Sequence, residues 1–346
     1  MTVGDARDAA RQWVSLHGPE VKGFVGAFTH GSTNWLHPEE PFPPTSDLDL
    51  IVVIDTAEQA SRVGKRLYRG VILDVSYMPV GAFGAPDQVL ANSHVAESFA
   101  RSAVLSDPSG WLCRLQQEVG RSYREHGWVR RRCEAATERM AGYLRAAEQP
   151  GPCSDRVLAW LFGVGLTTHV LLIAGLRNPT VRSRFAAVRQ LLADYHREEL
   201  HPALLQLLGS HEWTTEQAQR HVSSLGPVFD AAAAACRTPF PFSSDISEAA
   251  RPTELGGSRE LVAKGLHREA AFWIAVTHSR CQSVLREEAS PEVRESCGSS
   301  YQELLSDLGL QGPKDLGRRI ELVRLSLPRL SRAVEGILTE NPEIVG

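Results

Sequence analysis

The sequence lacks the features that mark several classes of protein. Its 37 Lys and Arg residues are outnumbered by 41 Asp and Glu residues, so it has no basic excess of the kind that grips long nucleic acid. Its six cysteines form no C-x-x-C pair and have no histidine at metal-ligand spacing, which argues against a zinc site and a disulfide framework. The opening residues carry Asp5 and Asp8 without an apolar core, unlike a signal peptide. These absences predict a cytoplasmic protein with reduced thiols.

A membrane-spanning helix is also poorly supported. Residues 157–176 form a run of 20 positions without a formal charge, which is long enough to cross a bilayer. However, Thr167, Thr168 and His169 lie at its centre, three glycines interrupt it, and its flanks lack a basic asymmetry. A helix that is apolar all round is equally typical of the centre of a helical domain. We therefore predict a buried core helix and no membrane partner.

The residues that are present divide the chain of 346 into two parts. Residues 1–110 hold 8 basic and 13 acidic side chains, whereas the remainder holds 29 basic and 28 acidic ones. In the first part, three runs rich in Val, Ile and Phe predict strands, and the stretch 57–68 has helical composition. The predicted strands are 21–28, 48–54 and 70–78. An amphipathic helix opens the chain, with Ala9, Trp13 and Val14 on one side.

Strand-like runs end at about Trp111, and long Ala-, Leu-, Arg- and Glu-rich segments follow. Their apolar spacing of three and four residues predicts helices. The predicted helical segments are 111–147, 155–176, 180–208, 214–236, 257–288, 299–309 and 314–339. We therefore predict an α+β protein, with a small mixed-sheet domain over 1–110 and an all-α domain over 111–346.

The most informative residues lie on the three predicted strands. Gly31 and Ser32 directly follow the first strand, where a glycine lets the backbone approach a ligand closely. Asp47 and Asp49 open the second strand, and because side chains alternate along a strand, both project from the same face. Asp74 lies inside the third strand. We expect these five residues to meet at one site.

Carboxylates aimed at one point repel each other, and burying them unpaired is costly. A hard divalent cation between them relieves the repulsion. With Asp74 on a neighbouring strand, the set predicts a two-metal site whose ions lie roughly 3.5–4 Å apart and clamp the oxygens of a phosphoryl transfer. Gly31 and Ser32 would supply a backbone amide and a hydroxyl to the phosphates. The alternative is that Asp47 caps a turn, Asp49 is a surface charge and Asp74 is an exposed strand residue.

The order of motifs in this region resembles that of the nucleotidyltransferase superfamily. It consists of Gly-Ser, a loop, Asp-hydrophobic-Asp and a hydrophobic-Asp-hydrophobic strand. Gly31, Ser32, Asp47, Asp49 and Asp74 match its motif over about residues 20–80. The helical second domain is similar to that of the aminoglycoside nucleotidyltransferases of the streptomycin/spectinomycin type. The resemblance implies a small mixed-sheet catalytic domain that moves a nucleoside monophosphate from an NTP, with two Mg²⁺ ions as cofactor. Asp74 would then be a metal ligand, the general base, or both.

Cations for the phosphates are expected at four positions. Lys65 lies on the predicted helix, where a surface charge is the alternative interpretation. Arg177, Arg182 and Arg184 flank a break in the helices, and a helix N-terminus with guanidinium groups nearby is a natural anion site. In the resembling adenylyltransferases, a basic residue of this region reaches the triphosphate.

The sequence thus predicts an adenylyltransferase that uses Mg²⁺ and ATP to modify a hydroxyl of an antibiotic, a sugar or a biosynthetic intermediate. Fourteen residues separate Ser32 from Asp47, and the proline-rich stretch 38–44 among them departs from the expected loop and would shape the acceptor pocket. An enzyme that modifies a protein partner, and a nucleotide-binding protein without turnover, are the two alternatives. Neither the acceptor, the base of the NTP nor the oligomeric state follows from the pattern.

Overall fold

The computed structural model describes residues 1–56, 61–101, 103–178, 180–312 and 314–346, with the side chains of residues 61 and 62 left aside. Within these residues the chain forms two compact units. One consists of Met1–Ala135 and Pro342–Gly346, and the other of Ala136–Asn341. The first contains a five-stranded sheet and helices, and the described residues of the second form helices and connecting turns. The α+β class predicted from the sequence is confirmed.

The first unit is built around a mixed sheet. Its strands are β1 (Phe24–His30), β2 (Asp47–Ile54), β3 (Ser61–Tyr68), β4 (Val71–Pro79) and β5 (Val104–Ser106). They lie in the order β3-β4-β2-β1-β5, with β2 and β4 parallel and every other described pair antiparallel. The helices are α1 (Val3–His17), α2 (Pro86–Ala91), α3 (Ala96–Ala100), α4 (Trp111–Ser122) and the start of α5 (His126–Glu148).

The predicted opening helix and three predicted strands are confirmed as α1, β1, β2 and β4. Helix α1 begins with a capping box, in which the Thr2 hydroxyl accepts from the Asp5 amide and the Asp5 carboxylate accepts from the Thr2 amide. Its apolar side, which includes Trp13 and Val14, is buried. These elements have strong local patterns, which is why the sequence alone identifies them.

The predicted helix over 57–68 is wrong: residues 61–68 form β3, and residues 57–60 lie outside the described residues. Lys65 therefore lies on a strand. The strand is at the edge of the sheet, so it shows no apolar alternation, and Leu67 is 70% exposed. Two glycines in this segment, Gly64 and Gly70, are the residues that point to a bulge and a hairpin turn in place of a helix. Gly64 adopts a positive φ of 98° at a β-bulge, and Arg69 and Gly70 form a tight two-residue turn with positive φ that joins β3 to β4.

The two faces of the sheet carry separate apolar clusters. Leu48, Leu50 and Val52 of β2 pack on the side of α1. Ile51 and Val53, which alternate with them, pack on the side of α3 and α4. Asp47 and Asp49 have the same parity as Ile51 and Val53. Strand alternation thus places both carboxylates on the face that α3 and α4 cover further along β2.

The second unit contains the remaining helices: α6 (Cys153–Ala174), α7 (Arg184–Asp194), α8 (Leu200–Leu208), α9 (Thr215–Ala235), α10 (Gly257–Ala263), α11 (His267–Glu288), α12 (Pro291–Asp307) and α13 (Asp315–Glu340). Helix α6 packs against α7, α8, α11 and α13. By length and composition α6 could cross a membrane, but 83% of its most apolar window is buried inside the protein. Packing within the helical unit accounts for its hydrophobicity, as expected for a core helix.

The last described strand, β5, ends at Ser106, and helix α4 begins at Trp111. The compact units divide at a later point, between Ala135 and Ala136. Leu112, Leu115 and Val119 of α4 belong to the apolar cluster on one face of the sheet. Helix α4 is therefore part of the sheet unit.

Candidate functional site

Strand pairing alone assembles a row of polar residues across the sheet. His30 of β1 is paired with Asp49 of β2, Asp49 with Asp74 of β4, and Asp74 with Lys65 of β3. Residues that are paired on neighbouring strands project from the same face of a sheet. The four side chains therefore share one face, and Asp47, two residues before Asp49, joins them.

The three predicted aspartates come together. One carboxylate oxygen from each of Asp47, Asp49 and Asp74 lies within 4.8 Å of the other two. The Asp74 side chain is only 4% exposed, whereas that of Asp47 is 23% exposed. The cluster is thus buried on the Asp74 side and open to solvent on the Asp47 side. The alternative interpretation of Asp74 as an exposed strand residue does not fit this burial.

Lys65 is the cation of this cluster. Its ammonium group donates to Asp47 Oδ2 and, over 3.1 Å, to Asp74 Oδ2. The Lys65 side chain is 4% exposed, so the alternative of a surface charge is wrong. A buried ammonium group between carboxylates offsets part of their mutual repulsion. From the sequence, Lys65 is predicted to be a phosphate ligand on a helix, a placement that hides its contact with the aspartates.

The Gly31 turn lies directly beside Asp49. Gly31 has a positive φ of 73° and begins a short 3₁₀ turn, Gly31–Trp35. A Cβ atom on Gly31 would collide with Asp49 Oδ2. Glycine is therefore needed for two reasons, since a side chain would be strained by the backbone and blocked by the carboxylate. Gly31 and the half-buried Ser32 thus lie where the sequence predicts them, at the edge of the carboxylate cluster.

Buried polar contacts hold the turn in place. The Thr29 hydroxyl donates to Asn34 Oδ1 over 2.6 Å, and the Asn34 amide nitrogen donates back to the Thr29 carbonyl over 2.8 Å. From α1, the Arg7 guanidinium donates to the carbonyls of Thr33 and Leu36. The turn is thus fixed from inside the sheet and from α1, which makes it a rigid support for a ligand.

A second buried group behind the turn was not predicted. The Glu97 side chain, on α3, is 4% exposed. It accepts from the Trp35 indole over 2.7 Å and from the Gly31 amide over 3.3 Å. Burial raises the pKa of Glu97 to about 7. No sequence pattern links a residue so far along the chain to the Gly31 turn.

His30 lies next to Glu97 in the same buried region. Its Nδ1 shares a hydrogen bond of 2.6 Å with the Ser98 hydroxyl and lies 3.5 Å from Glu97 Oε1. The His94 ring packs edge-on against the His30 ring, with 4.9 Å between their centroids. Burial lowers the pKa of His30 to about 4, so its ring is neutral at pH 7.

The three predicted arginines belong to the helical unit and have different surroundings. Arg177 is half-exposed and pairs with Asp194 at 3.1 Å, while Arg182 donates to the Thr253 carbonyl over 2.9 Å. Arg184 is buried, and burial lowers its pKa to about 9. Among the described residues, no carboxylate pairs with it; its Nε donates to the Val181 carbonyl over 3.0 Å. The predicted break beside Arg177 includes residue 179, which lies outside the described residues.

The proline-rich stretch 38–44 is hydrogen-bonded to the start of the chain. The Gly4 amide donates to the Pro38 carbonyl over 2.8 Å, and the Val3 amide donates to the Glu40 carbonyl over 2.9 Å. Phe42, at 9% exposure, packs in the apolar cluster on the α1 side of the sheet. This segment therefore anchors the loop between Ser32 and Asp47 to the sheet unit.

The donor set of the cluster suits a magnesium ion. Magnesium prefers hard oxygen ligands and is usually held by one or two carboxylates together with substrate phosphates. Asp47, Asp49 and Asp74 offer such oxygens, and the exposed side of Asp47 leaves access for a ligand. The fold and the site together define an α+β protein with a candidate carboxylate metal centre on its sheet.

Comparison with known proteins adds a distant structural likeness. No family model matches the chain, and no curated protein matches it. Among solved structures, a nucleotidyltransferase-like protein from Exiguobacterium sibiricum 255-15 is similar over 93% of this chain and 91% of that one. The sequence identity is 12% and the TM-score is 0.30. A likeness at this level says nothing about activity, so the functional inference depends on the residues of the site.

Proposed function

We propose that this protein is a magnesium-dependent nucleotidyltransferase that moves a nucleoside monophosphate, with AMP from ATP the first choice, to a hydroxyl group of a small molecule. The observation that carries the proposal is the meeting of three carboxylates within 4.8 Å beside the Gly31 turn. Lys65 offsets part of the repulsion among these carboxylates, and a divalent cation would offset the rest. The glycine turn adds the close backbone approach that a phosphate requires.

In this proposal Asp47, Asp49 and Asp74 hold the metal. When bound there, magnesium supplies positive charge to the phosphate oxygens of the nucleotide and to the oxygen that attacks. The sequence predicts two ions. Lys65 already places one positive charge between Asp47 and Asp74, so the cluster carries a net charge of about −2 before any metal binds. We propose two magnesium ions, because the phosphates of the bound nucleotide would add further negative charge to the cluster.

The residues of the chain would then orient and deprotonate the substrates. The Gly31 amide and the Ser32 hydroxyl would donate to the phosphates, which positions the α-phosphorus near Asp49. The acceptor oxygen forms a bond to the α-phosphorus while the bond from that phosphorus to the bridging oxygen breaks. Pyrophosphate leaves with the electron pair, and Asp74 takes the proton of the acceptor hydroxyl.

Arg184 is the best candidate in the helical unit for a phosphate ligand. A buried guanidinium that has lost part of its hydration gains most from an anionic partner. Arg177 and Arg182 are also proposed to contribute, although their contacts with Asp194 and with the Thr253 carbonyl occupy part of their donor capacity. We further propose that the protein works in the cytoplasm on a small-molecule acceptor, without long nucleic acid or a membrane as partner.

Calorimetry with ATP, CTP, GTP and UTP in the presence of Mg²⁺, followed by pyrophosphate release with a panel of hydroxyl acceptors, tests the proposal. Asp47→Asn and Asp49→Asn should each abolish release while the circular dichroism spectrum stays unchanged. Asp55→Asn is the matched control, because Asp55 is exposed and lies just beyond the other end of β2. Release that persists in Asp47→Asn or Asp49→Asn would contradict the assignment. Tight NTP binding without release for any acceptor would indicate a nucleotide-binding protein instead.

A further inference from the structure

Glu97 holds the Gly31 turn through two hydrogen bonds. The Gly31 amide donates to Glu97 Oε1 over 3.3 Å, and the Trp35 indole, at the end of the same turn, donates to Glu97 Oε2 over 2.7 Å. One carboxyl group therefore ties the first and last residues of the Gly31–Trp35 turn to α3. Asp49 Oδ2 occupies the space where a side chain of residue 31 would be.

The geometry calls for a side chain with two acceptor oxygens. Glu97 accepts two hydrogen bonds from two donors, one on each oxygen. A glutamine of the same shape has one acceptor oxygen and one NH₂ group, so it would face one of the two donors with another donor. A buried donor without an acceptor costs more than the hydrogen bond itself contributes. A carboxyl group has two oxygens that can accept, so it serves both ends of the turn.

We infer that Glu97 is a positioning residue of the nucleotide site, which fixes the Gly31–Ser32 backbone in the orientation that receives the phosphates. The inference rests on the proposed function. Glu97 is assigned no contact with either substrate, since it acts through the Gly31 amide. It belongs to no sequence motif and lies 66 residues from Gly31 in the chain.

Charged, polar and aromatic groups surround Glu97. Of the groups around it, His30 lies 3.5 Å from Oε1, and the Arg101 guanidinium lowers its pKa. The same Arg101 guanidinium stacks over the Trp35 ring at 4.2 Å, and the buried Tyr123 phenol is near enough to sense the charge. Burial outweighs the hydrogen bonds and Arg101, and the pKa of Glu97 rises to about 7. A carboxyl group near this pKa is kept at some cost in stability, which is typical of functional sites.

Glu97→Gln tests the inference, with Trp35→Phe as matched control. Trp35→Phe removes one donor to Glu97 and leaves the Gly31 bond in place. NTP affinity is measured by calorimetry without acceptor, and KM and kcat by pyrophosphate release. We expect Glu97→Gln to weaken NTP binding and raise the KM for NTP about tenfold, the loss of about one buried hydrogen bond, with kcat and the acceptor KM within about twofold of wild type. Trp35→Phe should weaken NTP binding less than Glu97→Gln does, because the Gly31 bond remains.

The outcomes separate this inference from the proposed function. If the wild-type protein binds no NTP, the proposed function fails. The NMR signal of the Trp35 indole N–H, assigned by its loss in Trp35→Phe, then still reports whether Glu97 accepts a hydrogen bond from Trp35. If wild type binds NTP and Glu97→Gln binds it equally well, the inference is overturned. Equal weakening in Glu97→Gln and Trp35→Phe would also overturn it, because the Gly31 bond would then not matter. If Glu97→Gln does not fold, Glu97→Asp takes its place, because its shorter side chain moves the carboxylate away from Gly31. NTP binding by Glu97→Asp must then be weaker than that of wild type.

Discussion

The burial of Glu97 makes the stability of the sheet unit depend on pH. Comparing wild type with Glu97→Gln measures this dependence. In the folded protein its pKa is about 7, raised by burial from an ordinary value of 4.5. The protonated, neutral form is therefore favoured by folding. The resulting stability is fully present below about pH 4.5 and is lost as the pH rises through about 7. Glu97→Gln is uncharged at every pH and lacks this dependence.

The two pKa values set the size of the effect. They differ by about 2.5, and each unit of pKa corresponds to about 1.4 kcal/mol, so ionising Glu97 in the folded protein costs about 3 kcal/mol. This is a large fraction of the 5–15 kcal/mol that typically stabilises a domain. The unfolding free energy of wild type minus that of Glu97→Gln should therefore decrease by about 3 kcal/mol between about pH 4.5 and about pH 7.5.

The difference between the two proteins is needed because neighbouring groups have the opposite dependence. Burial lowers the pKa of His30 to about 4, so its contribution to stability is present above about pH 6.5 and is lost as the pH falls through 4. The pH profile of the wild-type protein alone would show partial cancellation of the two effects. His30 is present in both proteins, so subtraction removes the part of its contribution that does not depend on Glu97, which lies 3.5 Å away.

Native-state hydrogen exchange is the suitable assay, because a chain with two compact units need not unfold in one step. The slowest amides of β2, the central strand of the sheet, report the opening of the sheet unit. Their opening free energies are compared between wild type and Glu97→Gln at several pH values. A difference that is constant across the range would refute the reasoning, since Glu97 would then be ionised to the same extent in the folded and unfolded chain.

Two further predictions concern the buried cations. Lys65→Met removes the ammonium group that contacts Asp47 and Asp74. We therefore expect the sheet unit to lose about 3–5 kcal/mol of stability in the absence of magnesium. Added Mg²⁺ should raise the stability of Lys65→Met by more than it raises that of wild type. Thermal denaturation with and without Mg²⁺ measures this, and an equal response of both proteins would contradict it. Arg184→Met should keep or raise the stability of the helical unit while weakening NTP binding about tenfold, as calorimetry can show. A loss of stability with unchanged NTP binding would assign Arg184 a purely structural role.

The local part of the candidate site was predictable from the sequence. Asp47 and Asp49 share a face because they are two residues apart on a strand, and the apolar run that follows identifies the strand. Asp74 has apolar neighbours on both sides, which is the same kind of local evidence. Gly31 follows a strong strand and precedes a polar loop. Each of these conclusions depends only on neighbours in the chain. None of them needs knowledge of which strands pair.

The role of Lys65 was not predictable in the same way. Its strand lies at the edge of the sheet, so apolar alternation, the main signal for a strand, is missing there. The helical composition of 57–68 then suggested the wrong element. Antiparallel pairing with β4 decides the conformation of residues 61–68, and it is this pairing that aligns Lys65 with Asp74. In residues 61–68 the weak helical preference of the sequence is overridden by backbone hydrogen bonds to β4.

The sequence by itself determined the α+β class, the principal strands and helices, and the residue types that can hold a metal and a phosphate. These depend on periodicity and on neighbours in the chain, which local sterics and alternation translate directly into structure. Only the tertiary structure decided that Lys65 lies among the carboxylates and that Glu97 holds the Gly31 turn. Both results depend on strand register and on burial, which arise when residues distant in the chain pack together. Burial also decides the chemistry, since the same carboxyl group that would ionise near pH 4.5 in water has a pKa of about 7 behind the turn.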